Sequence, residues 1–260
     1  MRSTMRLATR LFALAGLCLS AASASAGVLY LSNDSTGNLY TLNTTTGAAT
    51  LIGASGTTSQ TVGLTPSGSP GILYGTTWTE LVHINADGSG FVDVGPIGQE
   101  GLAYDPTSGI LYGAINGSFG SFDPANGNLV ASLAAPGGDV EGLAYFNGLI
   151  YGLADGGLLR SYDIATNTWS LIGDTGVAFD QIGLAYDTEL GVLYAVGAQD
   201  SNLYQIDPAT AAATVIGSTG LDDAGGGLAF VGAAAIPEPG TLALLGLALG
   251  ALALRRPRAR

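Results

Sequence analysis

From Gly27 to Val231 the chain is a succession of short apolar runs cut by polar turns. Within the runs Leu, Val, Ile, Tyr and Phe alternate with Gly, Ser, Thr and Ala. That is the two-residue period of half-buried strands, and no stretch keeps the wider spacing of an amphipathic helix. Leu29–Ser32, Asn38–Asn43 and Ala49–Gly53 are the first three runs, separated by Asn-Asp-Ser-Thr-Gly and Thr-Thr-Thr-Gly turns. After them the runs come in fours. From Gly101 they are GLAY, ILYG (Ile110–Gly113), SFGSF (Ser118–Phe122) and LVASLA (Leu129–Ala134). Turns such as Asp105-Pro106-Thr107-Ser108-Gly109 and Asp123-Pro124-Ala125-Asn126-Gly127 close the hairpins. In them Asp accepts local backbone hydrogen bonds, Pro presets φ and Gly takes positive φ.

The GLAY run recurs at Gly142–Tyr145 and Gly183–Tyr186, as GLAF at Gly227–Phe230 and more loosely as GLTP at Gly63–Pro66. Successive starts are 38, 41, 41 and 44 residues apart. A period near 40 with four strands per unit predicts a β-propeller. The first unit lacks a GLAY strand, and the last stops after one, Gly227–Val231. Joined, they make a fifth blade. The expected fold is therefore an all-β, five-bladed β-propeller closed by its N- and C-terminal strands, which leaves no free edge in the ring. GLAY should be the innermost strand, because strands crowd at the axis and only glycine leaves room. Tyr74, Tyr112, Tyr151 and Tyr194, on the second strands, are expected to pack between blades.

The ends have a different composition. Arg2, Arg6 and Arg10, the apolar Leu11–Leu19 and the small-x-small site Ala24-Ser25-Ala26 read as a signal peptide over residues 1–26, its apolar part helical, with Gly27 as the new N-terminus. The propeller is assigned to 27–235. Residues 236–260 are Ile236-Pro237-Glu238-Pro239-Gly240-Thr241, an apolar Leu242–Leu254 and an Arg-rich end. Thr241–Leu254 would span about 21 Å as a helix, against roughly 30 Å of bilayer core. That length suits a segment held only until processing better than a permanent single-pass anchor.

The pattern GLAYDP…G.LYG…L..(I/F)DP..G resembles the repeats of NHL- and YVTN-type propellers, folds that host binding modules, scaffolds and enzymes alike. The tail closely resembles the PEP-CTERM sorting signal. That resemblance implies processing by an exosortase at or near Pro237, Glu238 and Pro239, after transient inner-membrane anchoring by the C-terminal helix. It implies that the arginines stay cytoplasmic, and that the propeller ends at the cell surface or in the extracellular matrix of a Gram-negative bacterium. The role implied is a non-catalytic binding or structural module of the envelope, with a polysaccharide or envelope protein as ligand.

Charge narrows the chemistry. Between Gly27 and Ala233 stand nineteen acidic residues, one arginine (Arg160, read as a surface strand residue) and no lysine. Such a surface repels nucleic acid and attracts cations. The only cysteine, Cys18, lies in the signal peptide, which excludes disulfides and thiolate chemistry from the exported part. The loops leading into the innermost strands carry Gln60, Gln99, Glu100, Asp139, Glu141, Asp180, Gln181, Asp222 and Asp223. The loops after the second strands open on the same face with Asp34, Glu80, Asn116, Asp155 and Asp200. Hard cations take six to eight oxygens from such groups, so Ca²⁺ is the candidate cofactor, with Glu100, Glu141, Asp180, Asp223, Asn116 and Asp155 as candidate ligands. The rival account is that the loops of an acidic protein are acidic everywhere. On the other face Asp105, Asp123, Asp163, Asp187 and Asp207 occupy turn positions that explain them. Trp78 is the candidate ligand contact, either stacking on a sugar ring or plugging the channel mouth. His83, the sole histidine, reads as a strand residue. With no Ser/His/Asp or Cys/His set, the enzyme alternative reduces to a Ca²⁺-dependent, lactonase-like hydrolase working at the channel mouth.

Overall fold

The computed structural model describes residues 27–233; the expected signal peptide with its helix and the expected C-terminal hydrophobic helix of the sorting signal lie outside the described residues. Twenty strands form five four-stranded antiparallel sheets arranged as the blades of a propeller. From the axis outwards, blade 1 is Gly226–Val231, Val28–Asn33, Leu39–Leu42 and Ala49–Gly53. Blade 2 is Gly63–Pro66, Ile72–Thr76, Leu81–Asn85 and Phe91–Gly95. Blade 3 is Gly101–Asp105, Ile110–Ile115, Ser118–Phe122 and Leu129–Ser132. Blade 4 is Val140–Phe146, Leu149–Ala154, Leu158–Asp163 and Thr168–Asp174. Blade 5 is Gly183–Asp187, Val192–Val196, Asn202–Ile206 and Ala213–Ser218. The GLAY strands are innermost, as the repeat predicts.

Around the axis each repeat glycine meets the repeat leucine of the next blade. A Cβ added at Gly101, Gly142 or Gly183 would lie 2.8 Å from Leu143, Leu184 or Leu228 respectively. Gly63 faces Leu102, and Gly227 faces Leu64, so the contact runs round the whole ring. The inner strands can close up only because the first position of the repeat has no side chain. The five leucines are at most 2 % exposed, and between them no room is left for a water molecule. The axis is therefore closed, and its two mouths are separate sites.

The core is divided among the five blade interfaces. Each holds one buried cluster, and the second-strand tyrosines Tyr74, Tyr112, Tyr151 and Tyr194 each sit in one. Tyr30 does the same between blades 1 and 2. His83 lies on the third strand of blade 2, its ring 4.9 Å from that of Tyr74. Arg160 is half-buried rather than a plain surface residue, and its Nη2 donates to the Gly137 carbonyl at 3.4 Å.

Blade 1 is closed by six register pairs between its two chain ends, from Val28↔Val231 to Asn33↔Gly226. Beyond the last pair, the Glu189 carboxylate accepts the Ala233 N–H at 2.7 Å and the Gly27 N–H at 3.4 Å.

The outer strands are the remaining edges, and they carry the exposed Leu51, Val92, Leu129, Val130, Leu171 and Val215. With no lysine to guard such edges, the chain uses geometry. In every blade the pairing of third and outer strand is broken by a register shift. A bulge twists an edge away from a would-be partner and leaves its ladder irregular. It also lets the shifted residues Ile52, Val94, Ile172 and Ile216 pack against the interface clusters beside their exposed neighbours.

Candidate functional site

The upper mouth, where the inner strands begin, gathers carboxylates from three blades. Glu100 precedes the inner strand of blade 3, and Glu141 lies within that of blade 4. Blade 4 alone has an irregular inner pairing: Val140 pairs with Ala154 and Gly142 with Leu153, so Glu141 is the extra, bulged residue. Bulges of this kind re-aim a side chain next to functional sites. Asp139, Asp155 and Asp180 complete the group. One ligand oxygen each from Glu100, Asp139 and Glu141 lies within 4.8 Å of the others, and the same holds for Glu141, Asp155 and Asp180. That limit is twice a Ca–O distance of about 2.4 Å, and Glu141 belongs to both triads. Backbone donors fix the group. Glu141 accepts the Ile182 N–H at 3.1 Å. Asn116 and Gly117 form a two-residue turn with φ of 48° and 71°, the conformation a tight hairpin needs. Their N–H groups donate to Glu100 at 3.3 Å and to Asp139 at 3.0 Å.

These carboxylates oppose one another. Burial, reinforced by Asp155 and Glu100, pushes the Glu141 carboxyl up to about 7. Burial also raises Glu100, with Asp139 and Asp155 adding to it. Asp155 is raised by burial and then by Asp180 and Asp139. A buried carboxyl among like charges titrates late unless a cation joins it. A small cavity of about 30 Å³ opens beside Glu100 and Glu141, bordered also by Asp34, Gln181 and Trp78. Trp78 is 57 % exposed on the rim.

Asp223 does not join Glu100 and Glu141. Its carboxylate accepts the Ser35 hydroxyl at 2.9 Å and the Gly225 N–H at 2.7 Å, next to Asp34. Asn116 meets the group through its backbone, and its side chain is exposed. Asp139, absent from the expected ligand set, stands in it. Its place two residues before Glu141 in the same loop was the signal.

Comparison with known proteins adds a sorting motif. Residues 235–258 match the PEP-CTERM protein-sorting motif. Pro237, Glu238 and Pro239, the expected sorting residues, fall in this stretch, outside the described residues. No curated protein sequence matches the chain. Among solved structures, a chain in the crystal structure of a nidogen/laminin complex is similar, with a TM-score of 0.54 and 13 % identity over 79 % of this chain and 82 % of that one. At that identity the likeness concerns the fold. The match to the sorting motif thus follows the propeller directly in the sequence. Among the described residues no helix is long and apolar enough to cross a membrane.

The lower face of the propeller uses its carboxylates differently. Asp105, Asp123, Asp163, Asp187 and Asp207 each accept a backbone N–H two residues on, at 2.7–2.8 Å. These are the side-chain-closed turns that the spacing predicts. At the axis of this face lies the larger cavity, about 230 Å³. It is bordered by the fourth residues of the repeats: Tyr104, Tyr145, Tyr186, Phe230 and Pro66. Sequence reasoning passed over these positions, although the motif spells them out.

Proposed function

We propose that this is an exported, exosortase-processed, non-catalytic binding module of the cell envelope whose working face is the acidic upper mouth. The sorting motif supports export and processing, cutting at or near Pro237-Glu238-Pro239. One observation carries the choice of face. Carboxylates of the lower face are engaged in their own turns, whereas five at the upper mouth converge, and Glu100, Glu141 and Asp155 among them are raised by burial and mutual repulsion. A divalent cation, Ca²⁺ by the hardness of an all-oxygen set, would be held by Glu100, Asp139, Glu141, Asp155 and Asp180. It would supply a positive centre for the hydroxyls or carboxylates of an envelope polysaccharide, with Trp78 at the rim for the sugar face. The test is a thermal melt of metal-stripped protein titrated with CaCl₂, since a ligand of the folded state raises the melting temperature with concentration. A saturable rise lost in Glu141→Ala supports the reading. No shift at millimolar Ca²⁺ refutes the cation and leaves the carboxylates as solubility charge.

A second reading, a Ca²⁺-dependent hydrolase, draws on the same Glu141. A carboxyl held near 7 is matched to proton transfer at neutral pH. Lactone turnover that disappears in Glu141→Gln while Ca²⁺ binding survives would favour it over the binding module.

A further inference from the structure

The lower mouth is a blind cavity, because the leucine ring seals the axis above it. Its wall is a five-membered ring with one residue per blade, the fourth of each repeat. Four of these residues are aromatic, and each rests against the second-strand tyrosine of the preceding blade. Tyr104 meets Tyr74 edge-on at 5.1 Å, Tyr186 stacks on Tyr151 at 5.6 Å, and Phe230 lies 6.4 Å from Tyr194. Tyr145 packs against the cluster that holds Tyr112. The fifth position breaks the pattern. Tyr30 packs towards blade 2 like its counterparts, but blade 2 offers Pro66 and then Gly68. Nothing but Tyr104 and Pro106 comes within 4 Å of a Cβ placed on Gly68. The ring therefore lacks one aromatic side chain, and the space is left as cavity.

We propose that the lower mouth binds one neutral aromatic ring, a phenol- or indole-sized molecule, in the place of the missing fifth aromatic side chain. Size permits it: an apolar cavity of about 150 Å³ is enough to hold benzene, and this one measures about 230 Å³. Charge selects it. No charged side chain borders the cavity, and the surrounding protein is strongly acidic, so an anionic ring would be desolvated and repelled without a partner. A sugar is disfavoured because its hydroxyls need convergent polar groups. The Thr65 hydroxyl already accepts the Tyr104 N–H at 3.2 Å, and Asp105 is engaged by Thr107 and Ser108. The site is independent of the acidic mouth.

The experiment is ¹⁹F NMR of 4-fluorophenol with the purified full-length chain. Saturable line broadening is expected, displaced by indole and not by glucose, and not seen with 4-fluorobenzoate. Pro66→Tyr supplies the missing ring and should weaken binding at least tenfold. Thr188→Trp, on the exposed rim, should do the same without touching the core, so the test stands even if Pro66→Tyr folds poorly. Trp78→Ala, at the other mouth, should leave binding unchanged. The proposal is overturned by no saturable broadening up to the solubility of the ligand, by full binding in folded Thr188→Trp, or by glucose displacing the probe better than indole.

Discussion

The two mouths of the axis are built by one repeat and yet have opposite chemistry. The repeat begins at the upper mouth, where loops cross between blades. Glu100, Asp139, Glu141, Asp155 and Asp180 accumulate there, and the backbone donors that hold Glu100, Asp139 and Glu141 come from other turns and blades, not from a turn of their own. At the lower mouth the strands turn back at once. The hairpins take Asp, Pro and Gly, and the aspartates serve the backbone. The fourth repeat position is left to line an uncharged bowl. Acidic composition alone would charge both faces alike; the difference lies in which carboxylates close their own turns and which converge from three blades.

The comparison fails if the wall between the mouths is not packed, and that is where the largest effect is expected. Gly183→Val would drive a side chain against the Gly226 carbonyl and Leu228. It should cost about 3 kcal/mol or more, as forced overpacking does, read as a lower denaturant midpoint. An unchanged midpoint would mean that the axis is looser than described. Opening the wall instead, with Leu143→Ala, should cost about 2–5 kcal/mol for the cavity left behind.

Paired aspartate substitutions sharpen the contrast. Asp207→Ala removes an acceptor from the Ala209 and Thr210 N–H groups and should destabilise by about 1 kcal/mol. Asp180→Ala removes only repulsion and should be neutral or slightly stabilising, within about 0.5 kcal/mol. If both cost the same, the two faces do not differ as argued.

Acidity provides a further test. A carboxyl raised in the folded state binds more protons folded than unfolded between its two pKa values. Metal-free protein should therefore lose stability as pH rises from the ordinary glutamate range to about 7, through Glu141. With solvent screening of this part-exposed group, the change should be a few degrees in melting temperature. Glu141→Gln should flatten it, and Ca²⁺ should restore most at the upper end of the range. The smallest effect belongs to Asp223→Asn, which should leave any Ca²⁺ response unchanged because Asp223 is held by Ser35 and Gly225.

Much of this architecture was legible in the sequence. The GLAY period gives five blades, the shared fifth blade and the glycine ring, because those follow from local pattern and crowding at an axis. The turn aspartates were legible for the same reason, since their partners lie two residues away. The membership of the acidic group was not. Asp139 joins and Asp223 does not, which depends on a bulge at Glu141 and on loop paths that no local rule sets. The bowl was hidden differently: Pro66 reads as a weak repeat, and becomes a vacancy only once the ring is closed around it. The edge bulges were hidden too, although Leu51-Ile52-Gly53, Leu171-Ile172-Gly173 and Val215-Ile216-Gly217 repeat the same short pattern.

The closure of blade 1 also decides how the molecule bears load. The strand that ends near Ala233 is the innermost one, locked to Val28–Asn33 by six register pairs along its length. Tension applied at Ala233 against something gripped at the upper mouth runs along that strand, so the pairs resist together in shear. Tension applied between Gly27 and Ala233, which meet on Glu189, would peel the same pairs apart one at a time. A pull on the C-terminal side should thus require far more force in a single-molecule experiment than the same strand needs to unzip.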